Sequence, residues 1–281
     1  MRRLLRFEYA KEQPIWLRVL SLLVLVLALG NVLQFLPLAG LRLFYPFEIE
    51  WMEGASIDEI RWILAGNSLY SAPSISFIPA FYNPFYFFLS AALMKLIGVG
   101  FVASRLLSIL STTGCFLVLF LISSEASGHP ISGLVAAGIY AATFRFAGAW
   151  MDIARTDSLF LFLVLFAFFV GRKYSNRRGM VISALLYVLA YYTKQTALFV
   201  ILIVAPLSLV AYRGRTWPQW LTAAFVGLVF WVLDSTSNAG ILSMLLIWQR
   251  IEQGIETSGF SGSRWSPRCG RPCWSSCSML S

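Results

Sequence analysis

Residues 48–59 read EIEWMEGASIDE, five carboxylates in twelve residues of a chain with thirteen Asp and Glu in 281. A carboxylate at a water–lipid boundary can serve as a general base, because desolvation raises its pKa toward a useful range. Glu50 and Glu53, three residues apart, are the candidates; the bland alternative is a solvated acidic loop. Three further groups stand out from an apolar background. Arg155 and Asp157 lie in MDIARTDS (151–158), and Lys194 lies in YTKQT (192–196). Arg155 and Asp157 suit a local ion pair, with Asp157 complementing the N-terminus of the helix that follows. Lys194 is either a snorkelling turn residue or an anchor for an anionic lipid headgroup. No metal-ligand spacing, Walker loop, GxGxxG or nucleophile elbow is present. The one histidine, His129 before Pro130, argues against a His-dependent triad or zinc protease.

The elements that must hold these groups follow from composition. At 58% hydrophobic, 12% charged and mean hydropathy +0.73, the chain departs from soluble domains, where charged residues make up about 25%. Apolar runs at 15–36, 102–123, 131–150, 156–171, 179–193, 196–212 and 217–234 predict an all-α, polytopic transmembrane bundle of about 7–8 spans. The first run, Ile15–Leu36, lacks a convincing cleavage site and reads as an uncleaved helix, not a signal peptide. The net charge of +9 sits in short inter-helix clusters. Such clusters fit orientation signals at an anionic leaflet, not nucleic-acid binding. Cys115, inside an apolar run, reads as a packing residue.

Charge asymmetry decides whether Pro84–Gly98, about fifteen residues with Lys95 inside, crosses the bilayer. If it does not cross, three basic clusters share the cytoplasmic side: the N-terminal arm (Arg2, Arg3, Arg6, Lys11), Arg172 to Arg178, and Arg213 with Arg215. The basic-free loop Ser123–Pro130 is the one contrary sign. Pro84–Gly98 is therefore expected to be re-entrant or juxtamembrane. The outer side then gathers the first loop (37–101), Asp152, Arg155, Asp157, Lys194 and the stretch after Asp234. Ionisable groups near bilayer depth are functional candidates by default. Within the loop, EGASIDEIRWILAG spaces Ile57, Ile60, Ile63 and Leu64 as an amphipathic helix with Asp58, Glu59 and Arg61 on its polar face. Gly66 and Asn67 end it. Trp51, Trp62, Tyr70, Tyr82 and Trp150 suit an aromatic belt or sugar stacking.

Taken together, EIEWMEG, AGNSLY, FYNPFYFFLSAALMKLIG, SRLLSIL, ARTDSLFLF and YYTKQTAL, in that order, resemble the GT-C superfamily of integral-membrane glycosyltransferases. The similar branch holds protein O-mannosyltransferases and lipid A aminoarabinose transferases. The resemblance spans about residues 1–240 and rests on motif order, not on any single specific motif. It implies transfer of a sugar from a polyprenyl-phosphate donor to a glycan, lipid or protein acceptor on the outer face of the inner or plasma membrane, with inversion. It assigns the base to Glu53 or Glu50, with Glu53 favoured by its Glu-Gly context, and places Asp157 near the same site. Arg155, Lys194, Tyr82 and Asn83 become the substrate-binding positions, with Lys194 on the lipid phosphate. Many relatives carry Asp-Glu-Gly, whereas Met52 precedes Glu53 here. No cofactor is implied, and a divalent cation stays open. A transporter or flippase of lipid-linked or anionic substrates is the alternative. It would favour internal repeats and broken helices at midplane, whereas no convincing repeat is seen and the candidate charges lie at the outer boundary. A non-catalytic membrane partner is the third reading.

From about Ile251 the composition shifts to Ser, Cys, Arg and Gly without periodicity, dividing a 1–250 transmembrane domain from a 251–281 tail. Cys269, Cys273 and Cys277, interrupted by Pro272 and without a nearby His, make a weak metal set. Because proteins of the similar family are generally longer, a truncated or out-of-frame end is expected, starting as early as Asn238. Activity of the chain is then in doubt.

Overall fold

The computed structural model describes residues 14–236, apart from 72–73, 75–76, 80–81 and 175. The N-terminal basic arm, the apolar run beyond 237 and the Cys-containing tail lie outside the described residues. Within them the chain is all-helical: α1 Ile15–Leu43, α2 Trp51–Leu64, α3 Phe85–Ile97, α4 Phe101–Ser127, α5 Pro130–Ala142, α6 Thr156–Lys173, α7 Arg177–Thr193, α8 Ala197–Ala211 and α9 Trp217–Thr236. An isolated bridge, Ser74 to Phe77, is the one β feature among those residues. Two helices, α1 and α4, are long and apolar enough to cross a membrane. α6 has 18 residues but carries Asp157, Arg172 and Lys173 at its ends. α3, α5, α8 and α9 are apolar but shorter.

Two helix boundaries differ from those expected. α1 continues through Pro37 to Leu43 instead of ending at Leu36. Proline removes one backbone donor and costs helix stability. Phe35 and Ala39 on either side of it are nonetheless buried against Phe116, Ala137 and Phe144, with edge-on ring contacts at 5.3 and 5.4 Å. That packing holds the turn helical. Conversely, the run expected to span 131–150 is helical only to Ala142. Thr143 Oγ1 donates to the Tyr140 carbonyl at 2.7 Å. Gly148 and Ala149 then take positive φ values, +71° and +57°, and turn the chain back.

Small residues set the helix spacing, as is common where helices pack without a water-driven core. A Cβ at Gly138 of α5 would run into the backbone of Ala28 on α1. Ser183 of α7 donates to the Ala167 carbonyl of α6 at 2.7 Å and accepts from Gln219 of α9 at 2.9 Å. The outward faces of α1, α8 and α9 are covered with exposed Leu, Val, Phe and Trp.

The ends of the helices alternate. Arg105, in the second turn of α4, bonds the Arg42 carbonyl at the end of α1, so these two ends meet. α2 and α3 therefore lie at one end of the bundle, and Pro84–Gly98 does not traverse it. The starts of α6 and α8 and the end of α7 share that end through the Lys194–Asp157 contact. At the opposite end Lys173 pairs with Glu125 at 2.6 Å.

Candidate functional site

α2 starts where the acidic stretch begins to repeat with helical period. Glu50 is its N-cap, accepting from the Met52 N–H at 3.2 Å, which satisfies one of the donors a helix start leaves unpaired. Ile57 and Ile60 face the core, and Asp58 pairs with Arg61 at the surface at 3.3 Å. Glu59 departs from the expected polar face, being only 2% exposed. It lies beside Ser56 and Ile60, which are buried as well.

Glu50 and Glu53, one turn apart, go to different places. The Glu50 side chain is partly open and accepts from Arg155 Nη1 at 3.0 Å. Both of its named bonds fall on Oε2. Glu53 is 0% exposed. Arg105 meets it as a fork, Nε to Oε1 and Nη2 to Oε2, each at 2.7 Å. The N–H groups of Ala154 and Ile49 supply two more bonds at 2.9 Å. Burial pushes the Glu53 carboxyl up, but the Arg105 bonds, the two N–H groups and the Arg105 charge outweigh it and hold the group below its ordinary value. The resemblance favours Glu53 as the base; in this structure its carboxylate is fully buried with all four acceptor positions occupied.

Arg105 is a residue the sequence reading passes over. Its remaining N–H groups bond the Arg42, Tyr45 and Phe47 carbonyls, and its guanidinium lies 4.7 Å from the Phe101 ring centroid. All five donors are used. The available signal was a lone Arg near the start of a 27-residue apolar helix, a placement that is costly without a partner.

Above this pair a second, more open network links segments far apart in the chain. Arg155, the N-cap of α6, donates to Glu50 and, through Nε, to Asp157 Oδ2 at 3.1 Å. Lys194, just past α7, donates to Asp157 Oδ1 at 2.6 Å. The Arg155 guanidinium stacks 4.0 Å from the Trp150 ring centroid, and the Lys194 ammonium lies 5.4 Å from that of Tyr82. Burial works against the Arg155 charge, yet Asp157 and Glu50 raise its pKa. Glu50, Arg155, Asp157, Lys194 and Tyr82 thus come together. Asn83 is adjacent but turned inward, its amide donating to the Tyr191 carbonyl. No known protein family, curated protein or solved structure matches this chain. Among the described residues no group of three or more His, Cys, Asp or Glu is arranged to hold a metal. His129 is exposed at the start of α5, and Cys115 is buried.

The arrangement offers two carboxylates and two cations, partly open, at one end of the bundle. Such a set can take a proton and neutralise a developing anion. Its frame is the loop between α5 and α6. There Gly148 adopts φ +71°, and a Cβ would sit 2.7–2.8 Å from the Trp150 indole. Gly148→Ala is expected to cost about 1–2 kcal/mol from the left-handed backbone alone, with further loss if Trp150 is displaced. Thermal unfolding in detergent measures it, and an unchanged midpoint contradicts the expectation.

Within the same loop Asp152 is fully buried and pairs with Arg42 at 3.0 Å. Burial pushes its carboxyl up to about 6, with Glu53 adding to the rise and Arg42 and Arg105 opposing it. The folded state therefore binds the proton more tightly than the unfolded chain. Stability from this group is fullest below its ordinary pKa and is lost as pH rises to about 6. Asp152→Asn removes the dependence. The variant is expected to gain on the wild type between pH 4 and pH 7 by on the order of 2–3 kcal/mol, about two pKa units. Parallel stability curves for the two proteins contradict this.

Proposed function

We propose that the chain is a polytopic membrane glycosyltransferase that moves a sugar from a polyprenyl-phosphate donor to an acceptor on the outer face. In this reading further apolar helices join α1 and α4 in a bundle of about 7–8 spans, with the N-terminus cytoplasmic. The observation that carries it is the joining of Glu50, Arg155, Asp157 and Lys194, from three separate parts of the sequence, into one half-open network. Ionisable groups are costly in so apolar a chain and are kept where they act on a substrate. The resemblance to the GT-C superfamily supplies the reaction class.

Glu50 serves as the base, and Glu53 holds the loop to Arg105. The acceptor's proton passes to Glu50 as its oxygen or nitrogen forms the bond to the anomeric carbon. The bond from that carbon to the phosphate oxygen breaks, and its electron pair leaves with the polyprenyl phosphate. Lys194 and Arg155 neutralise that anion, a role suited to charge-assisted bonds. Asp157 keeps both cations in place between turnovers.

Purified chain in detergent, given labelled polyprenyl-phosphate sugars and a panel of hydroxyl and amine acceptors, tests the reading. Lys194→Ala is expected to raise the donor KM by about ten- to a hundredfold, the worth of one charge-assisted bond. Absence of transfer from every donor sinks the proposal.

A further inference from the structure

α1 is held to the bundle over only part of its length. Its buried residues are Ala28, Phe35 and Ala39, and at Ala28 the missing side chain of Gly138 lets α5 touch the α1 backbone. No described residue of α1 before Ala28 is buried. Here an open groove of about 920 Å³ lies between α1 and the α4–α5 corner. Leu20 and Val24 line it on one side, Val135 and Ile139 on the other. Arg18 and His129 line its mouth, at the end of the bundle opposite the Glu50–Lys194 network. From Ile131 to Ile139, both lining residues, α5 rises about 12 Å at ~1.5 Å per residue. That is most of one leaflet's hydrocarbon depth, about 15 Å or half of the bilayer core.

The polar groups at the mouth divide into spent and unspent donors. Ser21 donates to the Leu17 carbonyl at 2.8 Å, Ser123 to that of Ser132 at 3.1 Å, Ser127 to that of Ser123 at 2.8 Å, and Ser132 to that of His129 at 2.7 Å. The Arg18 guanidinium and the His129 ring make no hydrogen bond or ion pair among the described residues. No Asp or Glu lines the groove, and the one acid of α4, Glu125, is spent on Lys173. His129 is also the N-cap of α5, so the positive end of that helix dipole lies at the same mouth. The groove is thus cationic at its mouth and apolar along its floor.

We infer that this groove seats one anionic glycerophospholipid, with its phosphate at Arg18 and His129 and an acyl chain along Leu20, Val24, Val135 and Ile139. A guanidinium meets two phosphate oxygens at once. A mouth with cations and no acid favours an anionic headgroup over a zwitterionic one. The apolar floor gives a free phosphate nothing, whereas an acyl chain covers it. The site lies at the far end of the bundle from the network, and it requires only that α1 and α4 cross a bilayer, not the transferase reading. Occupied, it fills the space beside the part of α1 that the protein itself leaves uncovered.

Titration of the full chain in detergent with dioleoyl-phosphatidylglycerol or dioleoyl-phosphatidylcholine, read by native mass spectrometry, tests this. One phosphatidylglycerol is expected to bind at least about tenfold more tightly than phosphatidylcholine, the scale of a charge-assisted bond. Arg18→Gln should weaken it about tenfold and His129→Gln about threefold. Val24→Trp, which fills the floor without touching charge, should weaken it as well. Arg178→Gln, an exposed arginine at the same end but outside the groove, should leave it unchanged, and excess inorganic phosphate should not displace the lipid. Unfolding temperatures without lipid check that each variant is folded. Equal binding of the two lipids, or equal loss in Arg18→Gln and Arg178→Gln, overturns the inference in favour of diffuse surface attraction. Full binding by Val24→Trp removes the groove, and displacement by phosphate removes the lipid.

Discussion

Arg105→Ala is expected to destabilise the protein by about 3–5 kcal/mol, the range for removing one partner of a buried ion pair. The Glu53 carboxylate is then left at 0% exposure with only two N–H groups, and three carbonyls at and just past the end of α1 lose the Arg105 donors. Arg105→Lys should recover little. An ammonium has three donors and no fork, so it cannot meet both Glu53 oxygens and three carbonyls at once. A double change, Arg105→Met with Glu53→Met, should be milder than either single loss of charge, because no uncompensated charge is left inside. Thermal unfolding and solubility of the detergent-purified protein measure all three. A cost below about 1 kcal/mol for Arg105→Ala would place the pair in solvent and contradict the structure. Acid adds a check of opposite sign to Asp152. Because the folded-state pKa of Glu53 is lowered, its contribution is present above its ordinary value and is lost as pH falls below it.

Glu50→Gln is expected to cut transfer by about 10²–10⁴-fold, the usual share of a positioned general base, while leaving the fold nearly intact. Its side chain is 21% exposed, and Arg155, 9% exposed, keeps Asp157 as a partner when Glu50 is made neutral. With the weakened N-cap included, stability should fall by about 1–2 kcal/mol. Glu53→Gln separates the two carboxylates. It leaves the Arg105 charge buried and opposed only by an amide, so its defect should appear as unfolding before it appears as slow chemistry. The measurement is kcat per folded molecule against unfolding temperature for both variants. Full activity in folded Glu50→Gln, or a stable Glu53→Gln whose chemistry alone is lost, would move the base back to Glu53.

Much of this was legible in the linear chain. Composition required a helical, apolar protein. The 3.6-residue spacing of Ile57, Ile60 and Leu64 marked α2, with Gly66 ending it at φ +84°. Glu50, Arg155, Asp157 and Lys194 were visible because a charge in an apolar run is expensive and so calls for a reason. Asp157 and Arg155, two residues apart, were readable as an ion pair.

The choice between Glu50 and Glu53 was not readable, nor was the role of Arg105. Both carboxylates sit in the same acidic stretch with the same local chemistry. One is a buried structural ion and the other is half open because the end of α1, the start of α4 and the turn at Ala154 close over Glu53 alone. Ion pairs such as Glu53 with Arg105 and Arg42 with Asp152 join positions 52 and 110 residues apart, and no periodicity encodes which helix ends will meet. The same holds for Pro37, where packing of Phe35 and Ala39 overrides the local preference to stop, and for Glu59, which is buried although its spacing puts it among polar residues. Sequence alone determined which groups had to be accounted for. Tertiary structure decided which of them are locked and which stay partly open, since desolvation and the number of hydrogen bonds at a carboxylate depend on everything packed around it.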